Sequence, residues 1–285
     1  MDAATFHAQR RHVETASGRI AYFERGSGRA ALFIHGVPFN GFHWRFVIDQ
    51  LHMLRRCIAP DLMGLGYTQI ASTQDVSFRA QAEMLRHFID VLDLEQVDVI
   101  ANDSGGAVAQ LFAAYNPQRV RTLTLTNCDV HDNWPPPAIA PQIALAREGT
   151  LLDSFARYLD DPAGRLTRFS RAFADPSVLT DEVYRVYIEP LCATEQTRAN
   201  FHRYWLAFDN AQTVAIEPLL RQLQAPALIV CALDDIFFEL KWAHWLQRTL
   251  PRVVRTVTVA DAKLFFAEDR PQALIDPLRE FLATR

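Results

Sequence analysis

Short apolar runs alternate with segments of helical periodicity along most of the chain. The runs have the length and β-branched character of buried parallel strands. The segments between them place apolar residues three and four positions apart, which predicts amphipathic helices. The predicted strands include Ala30–Ile34, Arg56–Pro60, Val120–Cys128, Pro226–Ala232 and Val253–Val259. This alternation predicts an α/β fold, in which helices flank a mostly parallel sheet.

The alternation of strands and helices breaks between about His131 and Leu220, where only helices are predicted. A helical insertion after a central strand is typical of a cap over a binding site. We therefore predict a core domain of residues 1–130 and 221–285 and a helical cap of residues 131–220. Aromatic residues of the cap and of the loop after the first apolar strand are the candidates for an apolar pocket: Phe39, Trp44, Trp134, Tyr158, Tyr184 and Tyr204.

One stretch, from Val99 to Leu111, changes from strand to helix within a few small residues. Such a sharp turn exposes the side chain at its apex, and small neighbours are needed because the two backbones approach closely. The spacing favours Asp103 at the apex. A register with Ser104 at the apex fits less well, because Asn102 would then occupy a position that needs a small residue. The remaining alternative is an ordinary strand–turn–helix that carries no catalytic residue.

The overall composition excludes several classes of function. The chain has 285 residues, of which 49% are apolar, and a net charge of −4 without a basic stripe, so nucleic acid is not an expected partner. No apolar run is long enough for a membrane span, and the first residues lack the pattern of a signal peptide. We expect a cytoplasmic protein that binds a small apolar molecule.

The cysteine pattern agrees with that expectation. Cys57, Cys128, Cys192 and Cys231 are far apart and lack the spacing of a metal site, which favours free thiols. Neither a cofactor nor a metal is expected. A homodimer is left open as an oligomeric state.

Four motifs together make the chain resemble the α/β-hydrolase superfamily over essentially its whole length. They are His35-Gly36-Val37-Pro38, Asp61 to Gly66, the turn at Asp103, and Ala232 to Asp235. With an aspartate at the apex, the chain is most similar to the branch of haloalkane dehalogenases and epoxide hydrolases. The resemblance implies an α/β-hydrolase fold with an eight-stranded sheet and a helical cap.

The resemblance also implies roles for individual residues. Asp103 matches the nucleophile, which attacks a carbon atom and becomes esterified. Asp235 matches the acid that orients a histidine, although a solvated turn acid beside Asp234 is the alternative. The backbone N–H groups of Val37 and Ser104 match the oxyanion hole. The implied function is a small-molecule hydrolase that acts on an epoxide, a halide or an ester.

Two departures from the family pattern bear on that function. The dehalogenases hold halide with a Trp after the nucleophile and often with an Asn after the His-Gly pair, where this chain has Ser104 and Val37. The larger departure concerns the general base. The family histidine falls on Leu264 when the motif is anchored on Pro271, and no histidine follows His244.

The sequence leaves three explanations open for Leu264. It is natural and the chemistry has changed, it is an engineered replacement of the histidine, or another residue supplies the base, for which Asp129 and His131 are the candidates. If it is natural, Asp103 and Asp235 form an acid–base pair for a lyase, isomerase or cyclase reaction. A further alternative is a catalytically silent protein that binds a ligand in the capped pocket.

Overall fold

A computed structural model describes all residues from 1 to 285. Its eight strands form one sheet in the order β1-β2-β4-β3-β5-β6-β7-β8, in which β2 is antiparallel to both neighbours and β3 to β8 are parallel. The strands are β1 (Arg11–Thr15), β2 (Gly18–Arg25), β3 (Ala30–Ile34), β4 (Arg56–Pro60), β5 (Val97–Asp103), β6 (Val120–Cys128), β7 (Ala227–Ala232) and β8 (Val253–Val259). The predicted mostly parallel sheet is therefore confirmed.

Four helices precede the last strand before the insertion. They are α1 (Ala3–Gln9), α2 (Arg45–Leu51), α3 (Phe78–Val91) and α4 (Ser104–Tyr115). Helix α3 buries Phe78, Met84, Leu85, Phe88 and Ile89, which is the apolar face that its periodicity predicts. The sequence analysis missed α1, whose amino end is capped by the Asp2 side chain.

Only helices lie between β6 and β7. The α-helices there are α5 (Ala140–Arg147), α6 (Leu151–Ala156), α7 (Pro162–Phe169), α8 (Asp181–Cys192), α9 (Glu195–Leu206), α10 (Asn210–Ala215) and α11 (Glu217–Leu220). Helices α10 and α11 were not predicted. The chain ends with α12 (Leu240–Thr249), α13 (Phe266–Asp269) and α14 (Gln272–Ala283).

Short 3-10 helices connect several of these elements. They are Gly41–Trp44, Pro117–Arg119, Pro137–Ile139, Arg157–Leu159 and Pro176–Val178. None of the helices combines the length and the apolar character that crossing a bilayer requires. All four cysteines are free thiols, as predicted, and Cys57, Cys128 and Cys231 are buried in the sheet.

The strand order places the candidate residues at one edge of the sheet. Strand β5 lies between β3 and β6, with Ala101 opposite Ile34 and Asp103 opposite Cys128. The loops after these three strands therefore meet at their carboxyl ends. This edge is where ligands bind in parallel α/β sheets.

Candidate active site

The structure has Asp103 at the apex of the turn between β5 and α4. Asp103 is the last residue of β5, and Ser104 is the first of α4. The backbone of Asp103 has φ +53° and ψ −136°, a conformation that costs a non-glycine residue roughly 1–3 kcal/mol. This backbone conformation directs the Asp103 side chain out of the sheet. The Ser104 hydroxyl instead lies 3.0 Å from the Tyr204 hydroxyl, away from the apex.

Small residues surround the turn because larger ones would collide with it. A Cβ on Gly36 would lie 2.1 Å from Asp103 Oδ2, and a Cβ on Gly106 would lie 2.2 Å from the Cβ of Cys128. Both distances are far below contact. Glycine at these positions lets the loop after β3 and the start of α4 close around the Asp103 carboxyl.

Backbone N–H groups hold the Asp103 carboxyl. The Val37 N–H donates to Asp103 Oδ2 at 2.8 Å, and the Ser104 N–H also interacts with this carboxyl. Burial raises the pKa of Asp103 from 3.8 to about 7, and the charge of Asp235 adds to the rise, while the two N–H groups oppose it. Near neutral pH, both the ionised and the neutral form of Asp103 are therefore populated.

His35 supports the loop beneath Asp103. Its Nδ1 donates to the Gly36 carbonyl at 2.9 Å, and its Nε2 accepts from the Leu62 N–H at 3.0 Å. Burial lowers the pKa of His35 to about 3, so the ring is neutral. With both nitrogens occupied by the backbone, His35 has a structural role.

A capped cavity of about 80 Å³ opens beside Asp103, several times the space that one water molecule needs. Val37, Pro38 and Asp103 form its wall on the core side. The cap and the loops after β7 and β8 supply the rest of the wall, which is largely aromatic: Phe155, Phe169, Trp205, Phe208, Phe237, Phe238 and Phe265. The cavity therefore suits a small molecule with an apolar body.

None of the six predicted pocket residues lines this cavity, so that prediction is wrong. Four of the six pack elsewhere in the interior. Phe39 packs against His43, Tyr187 and Phe265, Trp44 against Phe33, and Trp134 against Phe78, while the Tyr184 hydroxyl donates to the Phe155 carbonyl. Tyr204 lies behind the turn, bonded to Ser104, and Tyr158 lies under Arg157. Phe155, Phe169, Trp205 and Phe208 of the cap line the cavity instead.

Leu264 lies in the cavity wall, and none of the 18 lining residues is a histidine. Its side chain is buried. The Asn102 side chain, one residue before Asp103, donates to the Leu264 carbonyl at 3.1 Å and to Thr126 Oγ1 at 2.8 Å. Asn102 thus fixes the loop after β8 against the turn, a role that the sequence analysis did not assign.

Asp235 is buried near the site, while its neighbour Asp234 is exposed. The Phe237 N–H donates to Asp235 Oδ1 at 2.7 Å and Asn127 Nδ2 donates to Oδ2 at 2.8 Å. Burial raises the pKa of Asp235 to about 6. The residue does not line the cavity. The expectation that Asp103 and Asp235 face one pocket is therefore wrong, because these bonds turn the Asp235 carboxyl toward its own loop.

The candidate alternative bases differ in their position. Asp129 lines the cavity together with Asp103. His131, two residues later, has φ +49° and faces away: its Nε2 lies 3.0 Å from Glu217, its Nδ1 lies 3.2 Å from Asp132, and its ring packs on Trp245. His131 is therefore wrong as a candidate base for this cavity, since the turn after β6 directs it to the surface.

Two polar groups of the wall have no hydrogen-bond partner. They are the Oδ1 atom of Asp129 and the indole N–H of Trp205. On the cap side, Arg168 and Arg171 also line the cavity, and neither forms an ion pair. Neither arginine was predicted from the sequence, because which polar side chains of the cap line the cavity depends on tertiary packing.

The comparisons with known proteins agree with this architecture. Residues 31–276 match the model of a family described as the alpha/beta hydrolase family. The chain belongs to the alpha/beta hydrolase family. This alpha/beta hydrolase is 26% identical to haloalkane dehalogenase 2 of Mycobacterium tuberculosis over 294 residues, which cover 96% of this chain and 94% of that protein. Relatives carrying this and similar names are enzymes, and the chain is an enzyme of the same hydrolase fold.

Solved structures of the same fold include an epoxide hydrolase called CorEH and the haloalkane dehalogenase DbeA of Bradyrhizobium elkani. CorEH is 23% identical with a TM-score of 0.78, and covers 96% of this chain and 98% of its own. DbeA is 22% identical with a TM-score of 0.79, and covers 96% of this chain and 97% of its own. At these identities the likeness supports the fold of the alpha/beta hydrolase and leaves its chemistry to the site.

Proposed function

We propose that the protein is a hydrolase in which the Asp103 carboxylate attacks an electrophilic carbon of a small, largely apolar molecule. The observation that carries the proposal is the hydrogen bond from the Val37 N–H to Asp103 Oδ2, at 2.8 Å, in the wall of a capped aromatic cavity. The backbone holds one carboxylate oxygen, so the other is free to attack. An apolar surrounding leaves that oxygen poorly solvated and more nucleophilic.

The two N–H groups serve both halves of the proposed reaction. In the first half they hold the carboxylate in place while an ester bond forms to the substrate carbon. In the second half, water attacks the ester carbonyl, and the oxygen that becomes negative is Oδ2, which already accepts from the Val37 N–H. Removal of a single such donor typically costs about 10²–10³ in rate.

Ser104 is less suited to the role of nucleophile. Its hydroxyl is buried and bonded to Tyr204. An Asp103–Asp235 acid–base pair is also less suited, because Asp235 lies outside the cavity wall and its carboxyl is already hydrogen-bonded. We therefore favour covalent catalysis by Asp103 over both alternatives.

The test is intact-protein mass after incubation with a panel of epoxides, haloalkanes and activated esters, followed by peptide mapping. At least one panel member is expected to add its mass to Asp103 in the wild type, and none is expected to do so in Asp103→Asn. An adduct on another residue, or a broad panel that yields neither adduct nor product, would contradict the proposal.

Leu264→His tests the missing base at the cavity wall. An imidazole there can accept a proton from water, so the Asp103 ester is expected to break down about tenfold faster or more. Leu264→Gln is the matched control, because it adds polarity of similar size without a basic nitrogen. The lifetime of the adduct, followed by mass, gives the answer. Equal lifetimes in the two variants would show that position 264 does not face the ester.

A further inference from the structure

Asp129 has an unusual position for a buried carboxyl. It is 1% exposed, it lines the cavity beside Asp103, and its Oδ1 has no hydrogen-bond partner. A buried polar atom without a partner costs about 1–3 kcal/mol, and such an atom in a cavity wall points to a missing ligand. The function proposed for Asp103 gives this carboxyl no role.

We propose that Asp129 takes the place of the absent histidine, as a carboxylic acid that protonates a leaving oxygen and then as a carboxylate that activates water. This inference rests on the proposed attack by Asp103. It also narrows the substrate class to molecules whose bond to the attacked carbon breaks at oxygen, with an apolar epoxide as the simplest member.

The backbone fixes Asp129 next to the nucleophile. Cys128, the residue before it, lies opposite Asp103 in the sheet, and the Asp129 N–H donates to the Asp103 carbonyl at 3.3 Å. Gln110 Nε2 donates to the Asp129 carbonyl at 2.8 Å. These two bonds hold the main chain of Asp129 in place, and its side chain lies at the cavity wall with Oδ1 free of protein partners.

The charges around Asp129 keep it protonated. Burial raises the pKa of Asp129 well above its ordinary value of 3.8, and the charges of Asp103 and Asp235 raise it further. Burial also raises the pKa values of the Cys128 thiol and the Tyr204 hydroxyl, so both are neutral. Besides Asp129, the charged and titratable residues of the cavity wall are Asp103, Arg168 and Arg171. Asp235, Cys128 and Tyr204 lie outside the wall but close enough to interact electrostatically with Asp129.

The first step opens the epoxide. The Asp103 carboxylate forms a bond to one ring carbon, and the bond between that carbon and the ring oxygen breaks. The oxygen takes the proton of the Asp129 carboxylic acid. The result is a hydroxyalkyl ester on Asp103 and a carboxylate on Asp129.

The second step hydrolyses the ester. Asp129 takes a proton from water as the water oxygen bonds to the ester carbonyl carbon of Asp103. The bond from that carbon to the esterified oxygen then breaks, and the departing oxygen takes the proton back from Asp129. The proton left on Asp103 passes to Asp129, so both carboxyls return to their starting states and the net reaction is epoxide plus water to diol.

Halide leaving groups separate the two roles of Asp129. A halide departs without a proton, so Asp129 stays protonated and is a poor base for the following hydrolysis. In the wild type, an ester formed from an alkyl halide is therefore expected to persist at neutral pH. Its breakdown is expected to accelerate as pH rises and Asp129 ionises, whereas an epoxide-derived ester turns over.

The experiment compares the wild type, Asp129→Asn and Asp234→Asn with one apolar epoxide and one primary alkyl bromide of similar size. Asp129→Asn is expected to slow epoxide opening about 10²–10⁴-fold while alkylation by the bromide changes less than about tenfold. It is also expected to abolish the acceleration of ester breakdown at high pH. Asp234→Asn is the matched control, which makes the same chemical change at an exposed carboxyl and is expected to slow epoxide opening less than about tenfold.

The outcomes separate this inference from the proposed function. Adducts on Asp103 that form and break down equally fast in the wild type and in Asp129→Asn would overturn the role of Asp129 and leave Asp103 as the nucleophile. Equal losses for the epoxide and the bromide would also overturn it, since they would mean a structural role. If neither probe modifies or is consumed by the wild type, both proposals fail.

Discussion

Strand β5 carries two buried aspartates, one at each end, in opposite surroundings. Asp98 near its start is fully buried and accepts hydrogen bonds from Arg55 Nε at 2.7 Å, Arg121 Nε at 3.0 Å and the Thr122 hydroxyl at 2.8 Å. Asp103 at its end accepts from backbone N–H groups and forms no ion pair with a cationic side chain. The two residues have the same side chain and nearly the same burial. They differ in the groups that contact their carboxyls.

The Asp98 surroundings form a closed ion-pair cluster. Arg55 also donates to the Leu282 carbonyl at 2.7 Å, and Arg121 donates to the Ala30 carbonyl at 2.8 Å. The cluster therefore ties β3, β5 and the carboxyl end of α14 together at the amino-terminal edge of the sheet. Two arginine side chains thus compensate the charge of Asp98.

The Asp103 surroundings leave charge uncompensated. The neighbouring carboxyls of Asp129 and Asp235 add negative charge. A fold tolerates such a cost at a reactive site, and stabilising contacts elsewhere in the molecule compensate for it. Burial alone therefore does not identify a functional carboxyl. The distinguishing feature of Asp103 is that it lines a cavity and has no ion-pair partner.

The largest effect is expected from Asp103→Asn on activity. The amide keeps the size of the carboxyl and cannot form the ester, so turnover of any panel substrate should fall by about 10⁴-fold or more. Steady-state product formation measures it. Asp98→Asn should instead retain at least about a tenth of the activity of its folded fraction. Similar losses from the two variants would remove the distinction between the two ends of β5.

For the free energy of unfolding, we expect Asp98→Asn to cause the larger loss. Asp98→Asn leaves Arg55 buried without its counter-charge, and breaking a buried ion pair in this way costs about 3–5 kcal/mol. Denaturant unfolding followed by circular dichroism measures the free energy of unfolding. A loss below about 1 kcal/mol would show that water reaches this cluster and that it does not brace the sheet.

A smaller effect is expected in the pH dependence of the stability of Asp103→Asn. Because the pKa of Asp103 rises from 3.8 unfolded to about 7 folded, the wild type loses stability as pH rises between these values. The asparagine does not titrate. Its gain over the wild type should be absent in acid and reach the order of 1–3 kcal/mol above neutral pH. If the difference in unfolding free energy between the two proteins did not change with pH, the pKa of Asp103 would not be raised in the folded state.

The sequence predicted the parts of the molecule that depend on local patterns. Strands β3, β4, β6 and β8 have the predicted bounds. Strand β3 is a continuous apolar run, and β6 and β8 are rich in Val, Leu and Thr, which favour strands. The apex at Asp103 could be predicted because only small residues fit at Gly36 and Gly106. The buried position of Asp235, rather than Asp234, followed from its place in the family motif.

The sequence did not predict which side chains reach the cavity. Tyr184 and Tyr204 look suitable on their helices, but their hydroxyls bond to the Phe155 carbonyl and to Ser104. That choice depends on how the cap packs against the core. The positive φ of His131, which turns it toward Glu217, is likewise set by tertiary contacts. Short helices such as α10 carry too few residues for a periodicity.

Esterification of Asp103 can be detected by a single turnover in water labelled with heavy oxygen. With enzyme in excess over an epoxide, the account predicts that the first diol contains an unlabelled oxygen from Asp103. The heavy oxygen should appear in the peptide that carries Asp103. A labelled first diol, together with an unlabelled Asp103 peptide, would mean that water attacks the substrate directly and would contradict the account.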